Sequence, residues 1–325
     1  MISRRRLLAS AAAILGAPLS TRAQSPTKSF RIGVLSPGAR QLGPLEAFKD
    51  GLRERGYVDG KNITIEWRFA DGRNDVLRPL ARDLVRLKVD VIVAINTQTA
   101  LAVKEATTTI PIVFVRGADP VRSGLVQSLG QPGGNVTGIS ALTDELGGKR
   151  LQLLKEALPG VNRVAVLWNG GNPGAGIVAG DLQAASASVG VQLLSHSVQT
   201  PNDLRSAFDA GARWRAGAIL VIDDVMITTH KALIVDLANK QRVPVMSLYQ
   251  EFVEVGALLA YGPNIPAIYR RAAYFVDRLL NGAKPQELPV EQPSKLDLVI
   301  NVSAAKVLGI PVPSTLLLRA DRLIE

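Results

Sequence analysis

Arg31-Ile32-Gly33-Val34-Leu35-Ser36-Pro37-Gly38 and Arg163-Val164-Ala165-Val166-Leu167-Trp168-Asn169-Gly170 are two versions of one octapeptide, set 132 residues apart in a chain of 325. Four of the eight positions are identical and two more are conservative. In each copy a short apolar run ends in turn residues, the mark of a strand buried on both faces. Each copy also opens a series of strand–helix alternations, which builds a parallel sheet with helices on both sides. The expected fold class is therefore α/β, with two doubly wound parallel-sheet lobes.

Working outward from the first octapeptide, strands are predicted at 32–35, 63–67, 91–95, 112–115 and 136–139, with helices at about 45–56, 76–87 and 99–107. From the second, strands fall near 164–168, 191–197, 218–222 and 243–247, and helices near 178–189, 201–213 and 232–241. The chain then continues with a strand at 256–261, a helix at 269–280, a strand at 297–300 and a helix at 304–308. The economical arrangement returns the chain to the first lobe after about Ser247. Lobe 1 is then expected to hold 28–140 plus about 256–284, lobe 2 to hold 141–255, and 285–325 to complete the lobes. Several crossovers make a hinge that lets two lobes close on a ligand.

The N-terminus decides the compartment. Ser3-Arg4-Arg5-Arg6-Leu7-Leu8 places basic residues before an apolar run to Leu19, and Thr21-Arg22-Ala23 offers a cleavage site. That order is a signal peptide over 1–23, cleaved near Ala23, and its apolar run is too short for a permanent anchor. Ser-Arg-Arg-x-Leu-Leu resembles the twin-arginine export signal. The chain has no cysteine, which excludes disulfides, thiolate metal sites, a cysteine nucleophile and a lipid-modified cysteine. An exported protein without an anchor is retained by an outer membrane, so the periplasm is the expected address.

Removing Arg4, Arg5, Arg6 and Arg22 with the leader leaves 34 basic residues against 28 acidic ones. They are scattered along polar helix faces, whereas nucleic-acid binding shows a basic stripe with interleaved aromatics. Enzyme motifs are missing as well: no His-Glu-x-x-His, no Gly-x-Ser-x-Gly and no Gly-x-x-x-x-Gly-Lys-Ser/Thr loop occurs. Gly174-x-Gly176-x-x-Ala179 imitates a dinucleotide fingerprint, but the next strand ends in Ser195-His196-Ser197 without the required acid. No metal and no cofactor are expected.

In open α/β sheets ligands sit beyond the carboxyl ends of strands, against the N-termini of the following helices. The polar residues at those ends are Ser36-Pro37-Gly38, Asn96-Thr97-Gln98-Thr99, Arg116-Gly117-Ala118-Asp119, Trp168-Asn169, Asp223-Asp224 and Ser247-Leu248-Tyr249. Thr97 reads as the cap of a helix whose free N–H groups suit a carboxylate. One acid of Asp223-Asp224 either accepts from a ligand ammonium group or caps the helix after it.

Longer stretches carry a family resemblance. They are 31–38, Asp119-Pro-Val-Arg-Ser-Gly-Leu-Val126, Gln131-Pro-Gly-Gly-Asn-Val-Thr-Gly138, Leu288-Pro-Val-Glu-Gln-Pro-Ser-Lys295, Leu298-Val-Ile-Asn-Val302 and Arg319-Ala-Asp-Arg-Leu-Ile-Glu325. The chain resembles ABC transporter substrate-binding proteins of the tryptophan- and tyrosine-binding type. The resemblance implies a type I periplasmic-binding-protein fold with three interlobe crossovers, a monomer, and delivery of a small ligand to an inner-membrane permease. It implies ligand contacts at Ser36, Thr97, Thr99, Asp119, Asn169, Asp223 and Tyr249. An amino-acid-like or small aromatic carboxylate is the expected ligand class. The alternatives are a sensor serving a membrane signalling partner and an enzyme on the same fold.

Overall fold

A computed structural model describes residues 29–40, 42–141, 146–222 and 224–325. The expected signal peptide lies outside the described residues, as does Asp223.

The first lobe is built on five parallel strands: β1 (Phe30–Ser36), β2 (Ile63–Phe69), β3 (Val91–Ile95), β4 (Ile112–Gly117) and β5 (Val136–Ser140). Their order across the sheet is β2-β1-β3-β4-β5. Between them run α1 (Leu42–Arg53), α2 (Leu77–Arg86) and α3 (Thr97–Ala106). Central strands β3 and β4 are buried at every position, as continuous apolar runs covered on both faces must be. One sheet face packs Ile32, Val34 and Val93 towards Phe48 and Leu52 of α1. The other packs Leu35, Ile92 and Phe114 towards Leu84 and Val103.

The second lobe holds α4 (Leu146–Ala157), β6 (Arg163–Asn169), α5 (Pro173–Val189), β7 (Gln192–Val198), α6 (Pro201–Arg213), β8 (Ala218–Val221), α7 (Val225–Thr229), α8 (Lys231–Gln241), β9 (Val245–Ser247) and α9 (Gln250–Val253). After β10 (Leu259–Pro263) and α10 (Ile265–Leu280), the chain ends in β11 (Leu296–Asn301), α11 (Val302–Leu308), α12 (Ser314–Leu317) and β12 (Arg322–Ile324). The sheet order is β12-β11-β10-β9-β8-β6-β7, parallel throughout except for the β10–β11 pair. That antiparallel pair departs from the all-parallel expectation. It arises because the chain returns to this sheet from the other lobe.

The lobe boundary expected at 256 is corrected on the same ground. Leu259 and Ala260 pair with Met246 and Ser247 in the second sheet, so β10 belongs there. The crossing back is made one element later, by α10. Its apolar face, which includes Ile268, Tyr269, Ala272, Phe275 and Val276, is buried in the first lobe's core. Gly51 admits it, because a Cβ there would stand 2.6 Å from the Arg270 carbonyl oxygen. Each large side chain buried on that face contributes roughly 1.5–3 kcal/mol. Segment 288–291 then lies along β5: Thr137 Oγ1 donates to the Leu288 carbonyl at 2.7 Å, and the Ser140 N–H to the Glu291 carbonyl at 2.9 Å. From there the chain enters β11. The lobes are therefore linked three times, after β5, after β10 and before β11.

Helix α4 has no counterpart in the sequence reading. Gly147-Gly148 in its first turn disguises it, since glycine disfavours helix by about 1 kcal/mol per residue. Both glycines face α5, with Leu182 and Ala185 as their nearest neighbours.

Candidate functional site

The carboxyl ends of β3 and β4 present the first lobe's polar groups. Asn96, between β3 and α3, sits at φ 86°, ψ 171°, a region almost reserved for glycine. Such a backbone costs about 1–3 kcal/mol and persists only where surrounding contacts hold it. Here Asn96 Oδ1 caps α3 by accepting from the Thr99 N–H at 3.0 Å, while Nδ2 donates to Asp224 Oδ2 at 3.1 Å. Asn96, not Thr97, is thus the cap: its side chain reaches the third helical N–H, and Thr97 already lies inside the helix. Thr97 Oγ1 instead accepts from the Ala118 N–H at 3.0 Å. Thr99 turns inward and donates to the Ile95 carbonyl at 2.7 Å.

Arg116 is the extra residue of a β-bulge. Val115 pairs with Ile139 and Gly117 with Ser140, leaving Arg116 unpaired at φ 63°. A bulge re-aims the side chain it carries. Gly117 and Gly138 make room for it, because a Cβ at either would collide with Phe114. The Arg116 guanidinium lies 4.4 Å from the centre of the Tyr249 ring, and Nε donates to the Tyr249 hydroxyl at 3.1 Å. Burial works against the charge, yet Tyr249, Tyr269 and Glu251 around it outweigh that effect and raise its pKa above the ordinary arginine value.

The second lobe's edge centres on Asp224, which is 2% exposed. Its Oδ1 accepts from Asn169 Nδ2 at 2.7 Å and from the Met226 N–H at 2.9 Å. Oδ2 accepts from Asn172 Nδ2 at 2.8 Å and from Asn96 Nδ2 across the seam. Asp224 caps α7 and Asn172 caps α5, so helix ends at two strands converge on one carboxylate.

The lobes meet closely over these groups. Asn96, Thr97, Arg116, Ala118, Ala141, Asn172, Ala175, Val178, Ile222, Asp224 and Tyr249 enclose a cavity of ≈ 20 Å³, enough for about one water. A Cβ at Gly174 would stand 2.6 Å from Thr97 Oγ1 and 2.9 Å from the Ala118 Cβ. At Gly38 it would collide with Val225, and at Gly171 with Asn74. The glycine-rich turn at 174–179 thus has a packing reason. At the rim, Arg122 makes a forked ion pair with Asp181, at 2.8 and 2.9 Å. A larger concavity of ≈ 880 Å³ lies at the opposite ends of β6 and β7, against Arg163, Gln192 and Arg215. It is open, and the buried Ser186 in its lining donates to the Gln183 carbonyl of its own helix.

Of the residues singled out in the sequence, Thr97 and Tyr249 line the seam cavity, and Asn169 supports it through Asp224. Ser36 is buried at the end of β1 outside the cavity lining, and Thr99 serves its own helix. Asp119 Oδ1 accepts from the Arg122 N–H at 2.9 Å, a role within its loop. Asn96, Arg116 and Asp224, present in the strand-end clusters but not among the contacts the resemblance implies, complete the site with Asn172, which the sequence reading did not name. Asn172-Pro173 is a readable cap signal, whereas the bulge that aims Arg116 leaves no local mark. Among the described residues no group of three or more His, Cys, Asp or Glu could hold a metal ion, and no helix is long and apolar enough to cross a membrane.

The sequence profile of the family described as ABC transporter substrate binding protein matches residues 40–324. The chain belongs to this family. It is 28% identical over 264 residues to a tyrosine-binding protein of Clostridioides difficile (strain R20291), covering 81% of this chain and 75% of that one. The crystal structure of a conserved domain protein from Vibrio cholerae superposes with a TM-score of 0.84 at 33% identity, covering 91% of this chain and all of that one. A Streptococcus pneumoniae ABC domain in complex with L-Trp gives 0.84 at 25% identity, with the same coverage. The ligand-free, open structure of a Clostridium difficile substrate-binding protein with adhesive properties gives only 0.64, again at 25% identity and 91% of this chain. Two parallel-sheet α/β lobes of the periplasmic-binding-protein kind are the fold of this family member.

Proposed function

We propose that this family member is an exported solute receptor that captures a small carboxylate-bearing molecule, an amino acid or an aromatic acid, and delivers it to an ABC transporter permease. The leader at 1–23 directs it through the twin-arginine route to the periplasm, where it works as an unanchored monomer without catalytic chemistry.

The observation that carries this reading is the seam itself. Asn96 and Arg116 from one lobe meet Asn172, Asp224 and Tyr249 from the other, all buried and all at strand ends. Buried polar groups converging from two hinged lobes are a binding device, since a static interface would bury apolar side chains at less desolvation cost. The three lobe connections allow the opening that the ≈ 20 Å³ cavity requires before any solute enters. The names of the tyrosine-binding relative and the Trp-bound neighbour support a carboxylate ligand.

Native mass spectrometry of the protein as purified, together with thermal-shift screening of amino acids and small carboxylates, tests the reading. A bound acid and a concentration-dependent rise in Tm are expected. Stabilisation by phosphorylated nucleotides alone would contradict it.

A further inference from the structure

The two charged groups that line the seam cavity among the described residues are not equivalent, and the difference bears on the ligand. Asp224 accepts four hydrogen bonds, two at each oxygen, from three asparagine amides and one backbone N–H. A carboxylate has about four lone-pair sites, so none is left for a ligand ammonium group. Arg116 is the opposite case. It is 7% exposed and hydrogen-bonds the neutral hydroxyls of Tyr249 and Tyr269, and among the described residues no carboxylate forms an ion pair with it. The tyrosines and the more distant Glu251 favour its charge, but among the described residues no carboxylate is paired with its fork, and a planar carboxylate is the group that best matches that fork. Ala118, Ala141, Ala175, Val178 and Ile222 form the apolar part of the wall beside Tyr249, and all five are small or aliphatic.

We propose that the cleft selects a short aliphatic carboxylate that lacks an amino group, anchored by Arg116. The proposal rests on the receptor reading above and narrows its ligand class.

Calorimetric titration of the full mature protein with two matched pairs tests it: 3-methylbutanoate against valine, and 3-(4-hydroxyphenyl)propionate against tyrosine. The uncharged 3-methylbutanamide serves as a control. The expected order places 3-methylbutanoate first, about tenfold or more tighter than valine. Arg116→Gln should weaken 3-methylbutanoate on the order of 30-fold, and Arg116→Lys, which keeps the charge but loses the fork, by less. The Tm of each ligand-free variant should stay near that of the parent, because neither substitution breaks an ion pair and both replacements can still donate to the tyrosine hydroxyls. Tighter binding of either amino acid than of its deaminated partner would overturn the proposal and leave the receptor reading intact. So would amide binding that matches the acid and survives Arg116→Gln. A large fall in Tm in both variants with unchanged affinity in Arg116→Lys would make Arg116 a structural residue and overturn the anchor. No binding and no compaction with any of the five would overturn the proposal and the receptor reading together.

Discussion

The two edges that meet at the seam are made differently. On the first lobe, Asn96, Arg116 and Asp119 all have positive φ, at 86°, 63° and 24°. On the second, Asn172 and Asp224 occupy ordinary extended backbone and cap regular helices. One edge stores strain to aim particular side chains, and strained residues of this kind cluster at ligand clamps. The other is a relaxed polar plate on which the first closes. Specificity should therefore reside on the first lobe and the stability of the seam on the second.

The plate should be the more sensitive of the two in equilibrium unfolding. Asp224→Ala leaves three asparagine amides and the Met226 N–H without their common acceptor, a loss expected at about 3–5 kcal/mol. Urea denaturation measures it, and a loss below about 1 kcal/mol would mean that the plate does not act as a unit.

Gly174→Ala tests closure rather than folding. Gly174 is helical with no positive φ, so alanine is compatible with the isolated lobe and favours its helix by about 1 kcal/mol. In the closed arrangement the same methyl meets Thr97 and Ala118. Overpacking of about 1–3 kcal/mol in the closed state alone lowers ligand affinity roughly 10–100-fold while Tm holds or rises. Gly180→Ala on the same helix, where a Cβ meets nothing within 4 Å, should change affinity little.

Strain at Asn96 reverses a familiar preference. Both Asn96→Gly and Asn96→Ala lose the α3 cap and the bond to Asp224, but glycine alone tolerates φ 86°. The glycine variant should be the more stable by about 1–2 kcal/mol in urea, the opposite of an ordinary helix position. The smallest effect belongs to the rim. Arg122→Ala removes an exposed ion pair to Asp181 worth about 0–1 kcal/mol, visible as a loss of salt dependence in ligand affinity.

The repeat of 31–38 at 163–170 made the two-lobe α/β architecture legible, because buried parallel strands are apolar runs that need no distant information. Most strands lie within a residue or two of where the sequence put them. The destination of β10 was not legible: Ala257-Leu258-Leu259-Ala260 suits either sheet, and only the fit of α10 against α1 at Gly51 decides which element crosses. The site was legible as strand ends and less so as residues. Thr97 and Tyr249 stand at the seam, but Asp224 is central through amides that arrive from 52, 55 and 128 residues away. Arg116 reaches the cavity through a register shift that becomes visible only when β4 is paired with β5.

Closure of the strained edge on the relaxed one is the core of the account, and small-angle scattering of the mature protein reads it directly. The radius of gyration should shrink on addition of the tightest-binding acid from the matched pairs, and at the concentration that just saturates the parent Gly174→Ala should shrink much less. Equal compaction of both proteins, or no compaction of the parent with acid demonstrably bound, would contradict a seam that closes through Gly174.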